Sequence, residues 1–134
     1  MNDKRYLFRG FHPDENGNTI ITLDGEKIKG EWKYWTVTGR LVHGDKFQYM
    51  SGGFVCDIDI IFETIGTWVT IDKNRKDIFD GDIVKSRIAE DVPMGVIVYD
   101  KQFFKYIVSI NDGYEEMGIT EYEPIVCGNK WEVQ

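Results

Sequence analysis

Basic charge is scarce in this chain: 16 lysines and arginines stand against 23 aspartates and glutamates, a formal net charge of −7. A protein that grips many phosphates carries a basic excess or stripe, because its affinity comes from neutralising phosphates and releasing counterions. That footprint is missing, and the balance worsens along the chain, from 8 basic against 10 acidic residues up to Thr67 to 8 against 13 beyond it. Long apolar runs are missing too. No window approaches the roughly 18 apolar residues needed to cross a bilayer, and the charges of the opening Met1-Asn2-Asp3-Lys4-Arg5 are followed by no apolar stretch. Neither export nor membrane insertion is supported, so a cytoplasmic location is expected. Cysteine is limited to Cys56 and Cys127, each inside an apolar, strand-like run and without CxxC spacing. They read as buried thiols in a reducing compartment.

Catalytic signatures are equally thin. There is no Gly-x-Ser-x-Gly and no Gly-x-x-x-x-Gly-Lys-Ser/Thr. The two histidines, His12 and His43, lie far apart, and neither has a Cys, His or Glu at zinc-ligand spacing. The expectation is a non-enzyme with no catalytic residue, no metal ligand and no cofactor.

What the chain does have is strand-and-turn grammar. Its 134 residues suffice for one compact domain or two very small ones, and 42% hydrophobic with 14% aromatic content is too apolar for disorder. Fourteen glycines punctuate short runs rich in Val, Ile, Thr, Trp, Tyr and Phe. No segment holds a 3.6-residue apolar period for three turns, so any helix should be short. Tyr6–Phe11 reads as a first strand, Pro13–Asn18 as a turn with an Asn-Gly signal, and Thr19–Leu23 as the returning strand. Asp24-Gly25 turns the chain into Glu31–Val37, and Thr38-Gly39 and His43-Gly44-Asp45 bracket another extended run. In Phe54–Phe62 the alternation puts Cys56, Ile58, Ile60 and Phe62 on a core face, opposite Asp57, Asp59 and Ile61. Glu63–Ile71 continues as a strand.

Asp72–Asp77 is a polar turn and the expected seam between two subdomains, an N-terminal β-meander over 1–71 and a second over 72–134. Beyond it, Ile83–Lys85, Met94–Tyr99, Phe103–Ile110, Glu121–Val126 and a closing segment with Trp131 make about five short strands, the spacing of a small SH3-like barrel. The expected fold is mainly β: an antiparallel β subdomain followed by that barrel, with few short helices.

Several landmarks along the chain form a further pattern. Phe8-Arg9-Gly10 is followed by Gly30-Glu31-Trp32-Lys33-Tyr34, then by Thr64-Ile65-Gly66 and the run from Asp72-Lys73-Asn74 through Asp80-Gly81-Asp82-Ile83-Val84; Gly95-Val96-Ile97-Val98-Tyr99-Asp100 and Val126-Cys127-Gly128-Asn129 come last. With these elements the chain resembles the YopX proteins of phages and prophages in low-GC Gram-positive bacteria, from near Tyr6 almost to the end. Two departures stand out: Arg75 occupies a position where the family usually has Gly, and Trp68-Val69-Thr70-Ile71 replaces a Gln-Tyr-Thr-Gly-Leu-like segment. The resemblance implies a mainly β protein with an SH3-like barrel, self-association and no established activity.

Candidate sites follow from side-chain chemistry. Asp77, Asp80 and Asp82 crowd around Gly81, and loop carboxylates can hold Mg²⁺ or Ca²⁺. The EF-hand register fails, since Lys76 takes a ligand position and Asp77 the place that needs Gly. The simpler reading makes Asp80-Gly81-Asp82 a turn, with Asp80 bonding nearby amides and Gly81 supplying a permissive φ. Asp57 and Asp59 share a strand face about 7 Å apart, a spacing that any solvated face shares. Lys33 and Trp35, with Lys101 and Lys105 among neighbouring rings, are candidate nucleic-acid contacts, because strands can present rings for base stacking beside Lys. Glu115, Glu116, Glu121 and Glu123 are a candidate acidic face for a protein partner. The expected function is a non-enzymatic phage or prophage accessory protein that binds itself and a host or phage protein. A nucleic-acid-binding barrel is the alternative, and an enzyme or metal-binding protein with an unreadable site the next.

Overall fold

The computed structural model describes residues 7–35, 40–42, 46–51 and 54–132, with the backbone alone for 35, 40–42, 46–51 and 54–57. The chain is mainly β, with twelve strands among the described residues. These are β1 Phe8–Ile21, β2 Lys27–Trp35, β3 Arg40–Val42, β4 Lys46–Ser51, β5 Phe54–Asp59, β6 Ile61–Ile71, β7 Asp77–Phe79, β8 Asp82–Ser86, β9 Gly95–Asp100, β10 Lys105–Ile110, β11 Glu115–Gly118 and β12 Pro124–Asn129. One helical turn, α1 Ile119–Tyr122, sits between the last two. The chain divides into two compact units, Met1–Trp68 with Trp131–Gln134, and Val69–Lys130. The division falls near the seam expected at Asp72, but Trp131, assigned from sequence to the second subdomain, returns to the first.

In the first unit β2, β1 and β6 lie side by side, and β3-β4-β5 form a separate antiparallel sheet. The expected turn at Pro13–Asn18 does not reverse the chain. Pro13 and Asn18 both pair with Gly30, so residues 14–17 form an exposed excursion inside one long strand, and the true hairpin is at Asp24-Gly25. Gly30 is required there because a Cβ would collide with the His12 carbonyl and the Phe11 ring. The core is aromatic: Phe11, Ile20 and Trp131 are buried, with Ile28, Trp32 and Ile61 packed against them. Phe11 and Trp32 meet edge to face at 5.3 Å, and the guanidinium of buried Arg9 lies 4.8 Å from the centre of the Trp32 ring. Trp131 is fixed by its carbonyl accepting from the Ile21 amide at 2.8 Å, and the next residue accepts the Trp32 indole N–H at Glu132 Oε1, 2.8 Å.

The β1–β6 ladder slips between Arg9 and Phe11, where a side chain fills the gap. The Phe11 amide donates to Thr64 Oγ1 at 2.9 Å, and the Thr64 hydroxyl donates on to the Ile61 carbonyl at 2.6 Å. The alternation expected across Phe54–Phe62 also fails, because β5 ends at Asp59 and β6 starts at Ile61. Ile60 is buried and Ile58 half-buried, but the break in phase leaves Phe62 61% exposed.

In the second unit the end of β6 and β7 form a hairpin closed by Asp72–Lys76, and β11-β10-β9-β8-β12 make a five-stranded antiparallel sheet. Consecutive strands meander until α1 carries the chain back to set β12 beside β8. Among the described residues this sheet does not close into the expected barrel: β11 and β12 remain at its two ends. The core is aliphatic with one phenol, comprising Ile78, Val84, Ile97, Val108, Ile110 and Tyr122. Strand edges differ from expectation in two places. Phe103 and Phe104 lie in the turn before β10, and Glu121 and Tyr122 belong to α1, so the last strand starts only at Pro124.

Candidate interaction sites

Asp72 organises the second unit as Thr64 does the first. It is buried, and its carboxylate accepts the amides of Asn74 and Lys76 at 2.8 and 2.9 Å on Oδ1, and the Val126 amide at 3.2 Å on Oδ2. Val126 borders the point where β12 skips register against β8, leaving Cys127 as the extra residue. That bulge turns Cys127 outward, which corrects the expectation of a buried thiol: the residue is exposed. Its sulfur is still partly covered, donating to the Ile83 carbonyl at 3.4 Å, and this desolvation pushes the thiol pKa up. Cys56 lies outside the residues whose side chains are described.

The Asp80-Gly81-Asp82 turn forms as expected, with Gly81 at φ +91°. Asp82, 1% exposed, accepts the Phe79 amide at 2.7 Å. Among the described residues no three His, Cys, Asp or Glu side chains converge on a point where a metal could sit. His12 Nδ1–H donates to the Asp59 carbonyl at 2.7 Å, and the Asp59 side chain is solvated. His43 and the side chain of Asp57 lie outside the described residues.

An open cleft of about 460 Å³ in the second unit is walled by the β6–β7 turn and α1, with Ile71, Lys73 and Arg75 facing Ile119, Thr120 and Glu123. Its acidic groups are engaged: Asp72 with three amides, Glu123 with Arg87 at 3.3 Å and Lys73 at 4.0 Å.

The four candidate glutamates are dispersed rather than set on one face. Glu115 and Glu116 are consecutive on β11 and so point to opposite sides of it, Glu115 accepting from Asn111 Nδ2 at 2.9 Å. Glu121 is exposed on α1, and Glu123 is drawn into the ion pairs of the cleft. The candidate nucleic-acid contacts also divide. Lys33 belongs to the first unit, where it pairs with Glu31 Oε1 at 2.6 Å, and the side chain of Trp35 is outside the described residues.

Lys101 and Lys105, by contrast, share the apex of the β9–β10 hairpin with Phe103 and Phe104. Asp100 Oδ1 holds this apex by accepting the Gln102 amide at 2.9 Å and the Phe103 amide at 3.4 Å. The Lys105 ammonium lies 5.9 Å from the centre of the Phe103 ring. One step in from the apex Tyr99 stands directly opposite Tyr106, the two rings edge to face at 5.1 Å. The sequence signal for an exposed apex was the Phe103-Phe104 doublet itself, since adjacent strand positions cannot both face one core. Compared with known protein families, curated proteins and solved structures, the chain has no match in any of the three.

Proposed function

We propose that this chain is a YopX-like phage or prophage accessory protein that works by binding rather than catalysis, associating with copies of itself and with a host or phage protein. The observation that carries the self-association is a pair of large exposed apolar side chains in the first unit: Leu23 is 80% exposed and Phe62 61%. The Leu23 amide donates to Glu63 Oε2 at 2.8 Å, which draws the end of the β1 strand beside the start of β6 and so brings Leu23 next to the segment bearing Phe62. Large apolar groups gathered on a soluble surface mark interaction sites more often than the same groups scattered singly. The separation of Glu115, Glu116, Glu121 and Glu123 leaves the acidic-face version of partner binding with less support than the apolar version.

Sedimentation velocity over a range of concentrations tests the reading. The expected result is a species heavier than the 15.6 kDa single chain, shifted back toward one chain by Leu23→Ser combined with Phe62→Ser. A single-chain mass at every concentration overturns the self-association.

A further inference from the structure

We propose that the β9–β10 apex is a binding site for single-stranded nucleic acid, an activity independent of the self-association above. The starting observation is backbone strain at an exposed ring. Phe104 sits at φ +54°, in the left-handed region, and is 81% exposed. Hairpin loops that end in this conformation favour glycine or asparagine, and a bulky residue there costs stability. Burial does not repay that cost, because the ring touches little of its own chain. A strained, solvent-facing aromatic of this kind belongs with groups kept for contact outside the molecule.

The chemistry around it selects the partner. Phe103 is 62% exposed and Tyr99 43%, so ring faces extend from the apex down the hairpin. Lys101 and Lys105 are exposed between them, while the one neighbouring acid in the loop, Asp100, is turned onto the amides of its own turn. Rings for stacking, interleaved with lysines for the backbone, are the combination that holds unpaired bases, and duplex DNA or RNA hides the base faces it needs. A lipid surface would meet only the tip and leave Tyr99 unused. With two lysines the expected salt dependence is shallow, a slope of log K against log salt of about −1.4. That explains how such a site coexists with the net charge of −7: the contact is short and led by stacking.

The test is fluorescence anisotropy of a labelled oligothymidylate about 12 nucleotides long, titrated with the full chain at low and moderate salt. Saturable binding with the shallow slope, weaker binding to a duplex of the same length, and loss of binding in K101E/K105E are expected. Phe104→Gly is the decisive variant, because it removes the ring and relieves the strain together: its Tm should rise while its affinity falls by about tenfold or more. Phe103→Ala supplies the same binding readout should Phe104→Gly not fold. No saturable binding by the wild type overturns the proposal, as does wild-type affinity in the folded ring variants. So would retention of the protein by phosphatidylglycerol vesicles, dependent on the apex, without binding to the oligonucleotide.

Discussion

Each unit interrupts a strand ladder and repairs the gap with one side chain, but the two repairs differ in kind. In the first unit the neutral hydroxyl of Thr64 accepts from one stranded amide and donates a hydrogen bond to a carbonyl. In the second the carboxylate of Asp72 serves three amides, two within its own turn and one on β12, 54 residues further along. Hydrogen bonds to a charged acceptor are roughly twice as strong as neutral ones, so the second repair can hold a more distant element. The cores differ in the same direction. The second unit draws its core from one continuous stretch of chain, whereas the first is completed by Trp131, about as far from Phe11 as the chain allows. Local chain connectivity should therefore make the second unit the more self-sufficient.

Breaking the first core gives the largest expected effect. Trp131→Ala should destabilise the first unit by about 4 kcal/mol, read as faster amide hydrogen exchange in β1 and β2 with β8–β10 still protected; equal loss of protection in both units would mean that they unfold as one. Asp72→Ala should cost about 3 kcal/mol, because three amides lose their charged acceptor, and denaturant unfolding measures it. Thr64→Val keeps the shape and removes one acceptor and one donor, so about 2 kcal/mol is expected. A Thr64 effect as large as that of Asp72 would erase the contrast between the two repairs.

Smaller effects sharpen the comparison inside the second unit. The Tyr122 hydroxyl faces the carbonyls of Val84 at 3.1 Å and Pro93 at 2.9 Å, and burial raises its pKa above the ordinary 10.0. A raised pKa means that the folded state holds the proton more tightly. Its contribution is whole below pH 10.0 and is lost as pH rises through the folded value. Tyr122→Phe should cost about 1 kcal/mol at neutral pH and flatten the loss of stability on the alkaline side. Arg75 is at φ +63°, a conformation glycine adopts freely, so Arg75→Gly should stabilise by about 0.5–1 kcal/mol. A fall in Tm for that variant would show that the arginine side chain contributes more than its backbone costs.

Legibility from sequence followed the range of the interactions. The strands of the second unit could be read because Ile83-Val84-Lys85 and Gly95–Tyr99 are apolar, β-branched and bounded by turn residues. Asp24-Gly25 marked a real hairpin. Asn16-Gly17 carried an equally good signal and turned out to be an excursion, because the pairing of residues on both sides with Gly30 is a property of β2. The α1 turn is too short to leave a helical period, and the return of Trp131 depends on contacts with Ile20 and Ile21 that no local pattern encodes. Of the candidate contacts, Lys101 and Lys105 were found by composition, and Phe104 entered only as one of their neighbouring rings. Its left-handed backbone left no mark in the sequence.

The excursion in β1 has a practical consequence. Four exposed residues stand where the ladder needs none, and pairing resumes in phase on the far side, so the length of this segment is uncoupled from the register of the sheet. Gly17, at φ +106° where a Cβ would meet the Gly30 carbonyl, and the Asn16 amide, donating to Asp14 Oδ1 at 3.3 Å, shape it locally. The peptide bond between Glu15 and Asn16 is thus a natural insertion point, where an epitope or a fluorophore-bearing tetracysteine loop can be carried without disturbing either core.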